Sequence, residues 1–366
     1  MVKTLMNTNA SIVFLLLVAG FVSCTSSEAM SQSYGNKIER KVLKIVEKQK
    51  LPSLTLTILH QKSLLDFQYT SEELEQQEIY GIGSTTKLLV AVLVQKLIEE
   101  GKVSLNDKLT DYVKGLENIE GIENLTIGNV LSHTSGLEDF TKHPVWIQQV
   151  MNNNTPKTFA EKIRLVGNKL SQNPLFEYSN TNYLVLEQVV ESLTGKTYKK
   201  AFNDFYAEHD LSDIQIGRPD KEIQGFFADK LEAVSQVSNW REYYGYAGEV
   251  YTTSKGLHRF SKALFIDGTI LNPKSMERLK EWVSMHPNII PIGRKGKILA
   301  YGNGLMKLMY DGKEYVGHSG GTLKYQSFLF VNEEEKTSIN IITNCSGRYY
   351  NNVFFQELVP TIMEEL

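Results

Sequence analysis

The sequence predicts an α+β fold: one sheet drawn from both ends of the chain, with a mainly helical lobe inserted between them. Three observations carry this. Two-residue apolar alternation stands near the start, helical periodicity runs through the middle, and four strand-like segments separated by turns close the chain. In order, Lys37 to Gln49 places Ile38, Val42, Ile45 and Val46 on one helix face, and Pro52 ends that helix. Ser53 to His60 alternates Leu54, Leu56 and Ile58 against Thr55 and Thr57, with Ser63 to Tyr69 as its hairpin partner. The turn Tyr80-Gly81-Ile82-Gly83 leads into an apolar helix, Leu88 to Ile98. Further helices are expected over Phe159 to Leu170, Asn182 to Leu193 (stopped by Gly195), Tyr198 to His209, Thr253 to Ile266 and Pro273 to Ser284. A meander follows: Gly304 to Tyr310, Lys313 to Gly317, Tyr325 to Asn332 and Lys336 to Asn344, turning at Asp311-Gly312 and Glu333 to Glu335. A last helix runs from Asn351 to Glu364. The sheet lobe is thus expected over residues 36–75 and 290–366, and the helical lobe over 76–289.

Composition is that of an ordinary globular chain. Of 366 residues, 42% are hydrophobic and 22% charged, enough for a large two-lobed unit. A formal net charge of −3 leaves no nucleic-acid footprint. Oligomeric state leaves no signature in the sequence.

Residues 1–23 read as an export signal. Lys3 is a positive n-region, and the apolar run Ile12 to Val22 is too short to span a bilayer comfortably. Phe21-Val22-Ser23-Cys24 resembles a bacterial lipoprotein cleavage site, although Phe21 stands where that family usually has Leu. Cys24 is then the lipidation site, residues 24–35 a polar tether, and the cell envelope the destination, with the lipid anchor as the sole membrane attachment. An ordinary secretory signal cleaved nearby is the alternative. The second cysteine, Cys345, follows an apolar run and is expected to be a buried small hydrophobe outside any disulfide framework.

The chemistry centres on Ser84-Thr85-Thr86-Lys87. Three-residue spacing puts Ser84 and Lys87 one helical turn apart on one face, at a helix start that favours developing negative charge. This suits a serine nucleophile with a lysine base, although S-x-x-K alone also describes a capped helix start with a solvated lysine. Tyr178-Ser179-Asn180 stands between Asn173-Pro174 and a helix, where a loop can aim side chains into a cleft. His318-Ser319-Gly320-Gly321 follows a strand; its glycines permit close backbone approach, and His318 could bind an acidic substrate end. Leu131-Ser132-His133-Thr134-Ser135-Gly136-Leu137 invites a triad reading, but sequence neighbours are not spatial partners, and His133 is assigned a structural role. The aromatic run Trp240, Tyr243, Tyr244 and Tyr246 lines a cleft or packs the lobe interface. No metal or dinucleotide motif is present.

In this order, the segments resemble the penicillin-recognising serine hydrolases, which comprise class C β-lactamases, serine D-Ala-D-Ala carboxypeptidases and related esterases. Ser84 to Lys87, Tyr178 to Asn180 and His318 to Gly320 match S-x-x-K, Y-x-N and H-x-G, and the likeness runs over residues 36–366. It implies the β-lactamase/transpeptidase-like fold, an antiparallel sheet flanked by helices, and acyl transfer without a cofactor. Ser84 is the nucleophile and Lys87 takes or relays its proton and lowers the pKa of Tyr178, which acts as base and acid. Asn180 orients the substrate and Lys87. The backbone N–H groups of Ser84 and Gly321 form the oxyanion hole, and His318, Ser319 and Gly320 bind a substrate carboxylate. The substrate is a small peptide, β-lactam or ester. Peptidase, esterase and β-lactamase stay open, as does a non-catalytic sensor of cell-wall peptides. His318 replaces the Lys of most β-lactamases, and Glu249 and Lys255 depart from the Gly and Asp usual in the G-G-x-x-S-T-x-x-D-like segment that starts at Ala247-Gly248.

Overall fold

Alternation in the first strand decides which side of the sheet faces which layer. The computed structural model describes residues 34–74, 79–171, 175–220, 222–237 and 242–366. The expected export signal and Cys24 lie outside them. A helix α1 over 34–49 leads to strand β1 (Ser53–His60) and its hairpin partner β2 (Ser63–Thr70). Residues 34 and 35, expected in the tether, already belong to α1. The remaining long strands are β3 (Gly296–Tyr301), β4 (Met306–Tyr310), β5 (Lys313–Gly321), β6 (Gln326–Asn332) and β7 (Thr337–Thr343). They form an antiparallel sheet in the order β2-β1-β7-β6-β5-β4-β3, extended by two short strands that pair with β3. Chain start and chain end meet where β1 pairs with β7, Leu56 opposite Ile341.

Period-two alternation splits the core. Leu54, Leu56, Ile58, Phe328, Phe330, Ile339 and Ile341 pack under α1 and the C-terminal helical segment 348–363, against Val42, Val46, Leu358 and Ile362. Leu329, Val331 and Ile342 face the other way. Helix α2 (Thr86–Glu99) crosses that second face, buried on nearly all sides from Thr86 to Leu97. A helix apolar all round is a central helix, and each fully buried Leu or Val contributes about 1.5–3 kcal/mol. Beyond it lie α3 (Asn180–Thr194), which ends at the left-handed Gly195, and α4 (Tyr198–Glu208). Helix α5 (Ser254–Ser261) docks on the sheet through hydroxyls: the Ser254 Oγ lies 2.6 Å from Thr55 Oγ1 and 2.9 Å from Thr57 Oγ1.

Some elements differ from expectation. The helix expected over Phe159 to Leu170 stops at Ile163, because the chain beyond it is taken by tertiary pairing: Glu120 N–H donates to Asn168 O at 2.9 Å, and Ser171 N–H to Gly136 O at 2.8 Å. The helix from Pro273 ends at Leu279, and Val283–Ser284 joins the sheet edge. β3 was not anticipated. β5 continues four residues past the expected end at Gly317, so the His318 segment is strand rather than turn. Cys345 is buried as expected, its thiol pushed up to about 12 by burial.

Two glycines allow β5 to meet the turn before α2. A Cβ on Gly320 would fall 1.9 Å from Ile82 O and 2.8 Å from Thr85 N. Gly83, at φ +50°, would carry one 2.7 Å from Gly321 N. Ser327 on β6 fastens the same turn, donating to Ile82 O at 2.6 Å. Gly320→Ala is therefore expected to cost about 1–3 kcal/mol of unfolding free energy by overpacking. A urea midpoint equal to wild type would show that the turn retreats freely.

Candidate active site

Ser84 sits on the one-turn helix Gly83–Thr85 that opens α2, and Lys87 follows on the first turn of α2 itself. The Lys87 side chain is fully buried, with Nζ 3.0 Å from Ser84 Oγ, 2.8 Å from Asn180 Oδ1 and 2.5 Å from Ala247 O. Burial pulls its pKa down to about 7, against the opposing pull of Asp139. The partner chemistry is then informative. Asn180 Oδ1 and Ala247 O can only accept, so they take two N–H bonds in either protonation state. The third partner is a hydroxyl, which can accept from an ammonium or donate to an amine. In the amine form, the Lys87 lone pair is left facing the Ser84 O–H.

Asn180 arrives on the first residue of α3, two positions earlier than the expected helix start, with Ser179 extended before it. That bend brings Tyr178 beside Lys87, whose Nζ lies 5.0 Å from the Tyr178 ring centre. The Tyr178 hydroxyl is buried and makes no hydrogen bond of standard geometry. Burial raises its pKa well above the usual phenol range, with the neighbouring Ser84 hydroxyl pulling the other way. The expected lowering by Lys87 does not set this pKa: desolvation is the largest influence on it, and the net shift is upward.

His133 stands behind Tyr178, buried and at φ +57°, its ring 4.2 Å from the Tyr178 ring. Its Nδ1 lies 3.2 Å from Ser179 N and 2.8 Å from Asn182 Nδ2. Because the Ser179 backbone N–H can only donate, Nδ1 accepts and the ring proton sits on Nε2. Burial holds the ring neutral, well below its usual pKa. His133 thus fixes the Tyr178-to-Asn180 bend, the structural role assigned to it.

The expected substrate contacts of the β5 residues are corrected. His318 is fully buried and held down to about 3, chiefly by desolvation and then by Lys87. Its Nδ1 is 2.6 Å from Ser319 O, an acceptor, so Nδ1 carries the proton and Nε2 accepts from the Tyr301 hydroxyl at 3.0 Å. A neutral, fully engaged ring offers no cation to a carboxylate. Strand alternation turns Ser319 to the opposite face, its hydroxyl 3.7 Å from Met306 Sδ. Gly320 is filled by the Ile82 carbonyl. Only Gly321 of this segment reaches the cleft.

That cleft is a cavity of about 340 Å³ lined by Ser84, Asn180, Ala247, Gly321, Thr141 and Tyr244, among others. A second cavity of about 620 Å³ shares Thr322, Leu323, Ser346 and Asn351 with it, and Arg348 is the one cation among the described residues lining that second cavity. Sequence reasoning missed Thr141, Leu323 and Asn351, which sit on loops or helix starts without a spacing signal. It also missed Glu187, which accepts the Tyr246 N–H at 2.9 Å while Glu249 accepts the Gly245 N–H at 3.0 Å. These two buried carboxylates hold the Gly245–Ala247 turn that presents its carbonyl to Lys87; burial lifts Glu187 to about 7. The departure at Glu249 is thereby explained. Tyr244 lines the cleft and Tyr246 is core; Trp240 and the Asn173-Pro174 pair lie outside the described residues. Among the described residues, no group of three or more His, Cys, Asp or Glu could hold a metal ion.

The family model described as Beta-lactamase matches residues 38–352. The chain belongs to the Beta-lactamase family. Protein flp of Staphylococcus aureus (strain MRSA252) is 24% identical over 298 residues, covering 78% of this chain and 55% of flp. The chain spans about half the length of the curated relatives it matches. Among solved structures, the D-amino acid amidase of Ochrobactrum anthropi SV3 superimposes with a TM-score of 0.72 at 22% identity, covering 90% of this chain and 98% of the amidase. A penicillin binding protein from Bacillus halodurans gives 0.68 at 19% identity, covering 89% and 99%. These likenesses establish the fold of the β-lactamase and penicillin-binding-protein-like serine hydrolases.

His318→Ala is expected to cost about 1–3 kcal/mol of stability by stranding the Tyr301 hydroxyl. It should change KM for neutral and carboxylate-bearing substrates by the same factor. A selective rise for the carboxylate-bearing substrate in steady-state kinetics would restore His318 as an anion contact.

Proposed function

We propose that the protein is a serine hydrolase that forms an acyl-enzyme on small amides, peptides or esters, of the D-Ala-D-Ala carboxypeptidase-like or related peptidase and esterase kind. The observation that supports it most is the buried Lys87 amine, with two acceptor-only partners and its remaining direction aimed at Ser84 in an open cavity. Ser84 Oγ attacks the carbonyl carbon as its proton passes to Lys87 Nζ. The oxyanion is met by the backbone N–H groups of Ser84 and Gly321, each worth roughly 3 kcal/mol. On collapse the carbon–nitrogen or carbon–oxygen bond breaks, and the leaving group takes the proton from Lys87 directly or through the Tyr178 hydroxyl. Water then attacks the ester and gives a proton to Lys87, which passes it to Ser84 Oγ as the acyl carbon–oxygen bond breaks, releasing the acid and restoring the Ser84 hydroxyl and the Lys87 amine.

The corrected position of His318 bears on substrate choice. A carboxypeptidase must hold a terminal carboxylate, and among the described residues Arg348, in the cavity adjoining the Ser84 cleft, is a cation that could receive it. In this reading the protein works in the cell envelope, anchored by lipid at Cys24. Loss of radiolabelled palmitate incorporation in Cys24→Ala would accompany that anchor; equal labelling of both forms would remove it.

Ser84→Ala should abolish labelling by a fluorophosphonate or a fluorescent penicillin and lower kcat by about 10³-fold or more; unchanged labelling would end this mechanism. The acylation rate should rise with pH through about 7, because the reactive form is the Lys87 amine and protonation below that value removes it. A rate that falls over this interval in stopped-flow labelling would mean the ammonium is the working form. A panel of a D-Ala-D-Ala peptide, a D-amino acid amide, an aryl ester and a cephalosporin sorts the activities. Stoichiometric labelling without turnover on any of them would point instead to a sensor of cell-wall peptides.

A further inference from the structure

Asp139 lies just after the segment Leu131 to Leu137, at the start of the short turn Phe140–Lys142. Its Oδ1 accepts the Thr141 N–H at 3.0 Å and the Thr141 hydroxyl at 2.7 Å. Its Oδ2 accepts from Asn180 Nδ2 at 3.0 Å, and the same Nδ2 lies 2.9 Å from Thr141 Oγ1. The Thr141 hydroxyl has one proton, and Asp139 takes it, so Thr141 Oγ1 meets Asn180 as an acceptor. Both Asn180 N–H groups are therefore claimed on one side, which leaves Oδ1 facing Lys87 Nζ at 2.8 Å. A flipped amide would set its oxygen against a carboxylate and its NH₂ against the lysine. Asp139 thus decides, one residue removed, which end of Asn180 the base sees.

The carboxylate also acts on Lys87 through space. Lys87 is otherwise faced by His133 and His318, both held neutral by burial, by the rings of Tyr178 and Tyr183, and by the uncharged Ser84, Asn180 and Ala247 carbonyl. Asp139 is the charged group that opposes desolvation there, and it is felt as well by Tyr178 and Tyr244. We propose that Asp139 is a positioning residue of the acylation step, fixing the Asn180 amide and setting the pH range over which Lys87 serves as base. This rests on Ser84 and Lys87 being the nucleophile and base.

The test is the pH profile of fluorophosphonate labelling in the full chain. Asp139→Asn removes the charge that retains the Lys87 proton, so the acid limb should move down by about one pH unit. The plateau rate should fall about tenfold or more, because Asn180 is no longer held in one orientation. Thr141→Val keeps the charge and removes one acceptor, so the plateau should fall while the limb stays. Asp139→Glu should return the limb to its wild-type position, even with a lower plateau. A limb in Asp139→Asn that coincides with wild type, or a lowered plateau shared equally by Asp139→Glu and Asp139→Asn with no limb shift, overturns the proposal and leaves a structural turn. Wild type labelled and Ser84→Ala unlabelled, with Asp139→Asn behaving as wild type, refutes this inference alone; wild type unlabelled refutes the serine hydrolase reading and this inference with it.

Discussion

Burying one lysine amine organises this molecule. Taking Lys87 out of water costs free energy unless its N–H bonds are met, and they are met from separate stretches of chain: Ser84 on the preceding turn, Asn180 at the head of α3, and Ala247 on a glycine-bearing turn. Each partner is itself fixed from behind. Asp139 and Thr141 hold Asn180, Glu187 and Glu249 hold the Ala247 turn, and His133 holds the bend before Asn180. The same desolvation that makes the arrangement demanding brings the amine to about 7, where it can exchange a proton with a serine.

Close backbone approach is the second requirement. The Ser84 turn and the end of β5 nearly touch, which brings Ser84 and Gly321 to the lining of one cavity. Gly83 and Gly320 remove the side chains that would hold them apart, and Ser327 ties the turn down from β6. The sheet sets the height of β5 and the lobe sets that of Asn180, while α2, buried between them, transmits both positions to Ser84 and Lys87. Function here rests on the packing of a central helix as much as on its first turn.

The buried histidines show how far context decides the meaning of a residue type. His133 and His318 are both ring-neutral, each with a tautomer set by a backbone group that can only donate or only accept. His318 occupies the motif position that suggested an anion contact, yet it lies in the strand with its ring turned toward Tyr301. An extra four residues of β5 made the difference: strand alternation turns Ser319 to the face opposite His318, and Gly321, at the strand end, is the residue of this segment that lines the cavity.

The sequence by itself determined the alternation of β1, the apolar helix after Ser84, the meander at the chain end and the one-turn spacing of Ser84 and Lys87. These are local patterns, written in periods of 2 and 3.6. It also carried the order of three short motifs, which sufficed for the family. Only the tertiary structure decided what those residues face. Val283–Ser284 and β3 are settled by pairing with strands close by in sequence, whereas the capture of Phe159 to Leu170 by pairing at Asn168 depends on a partner far along the chain. So do the roles of Asp139, Glu187 and Thr141, which act through contacts with residues 39 to 59 positions away. Spacing cannot encode such contacts, because hydrogen-bond geometry and desolvation arise only when the segments are packed together.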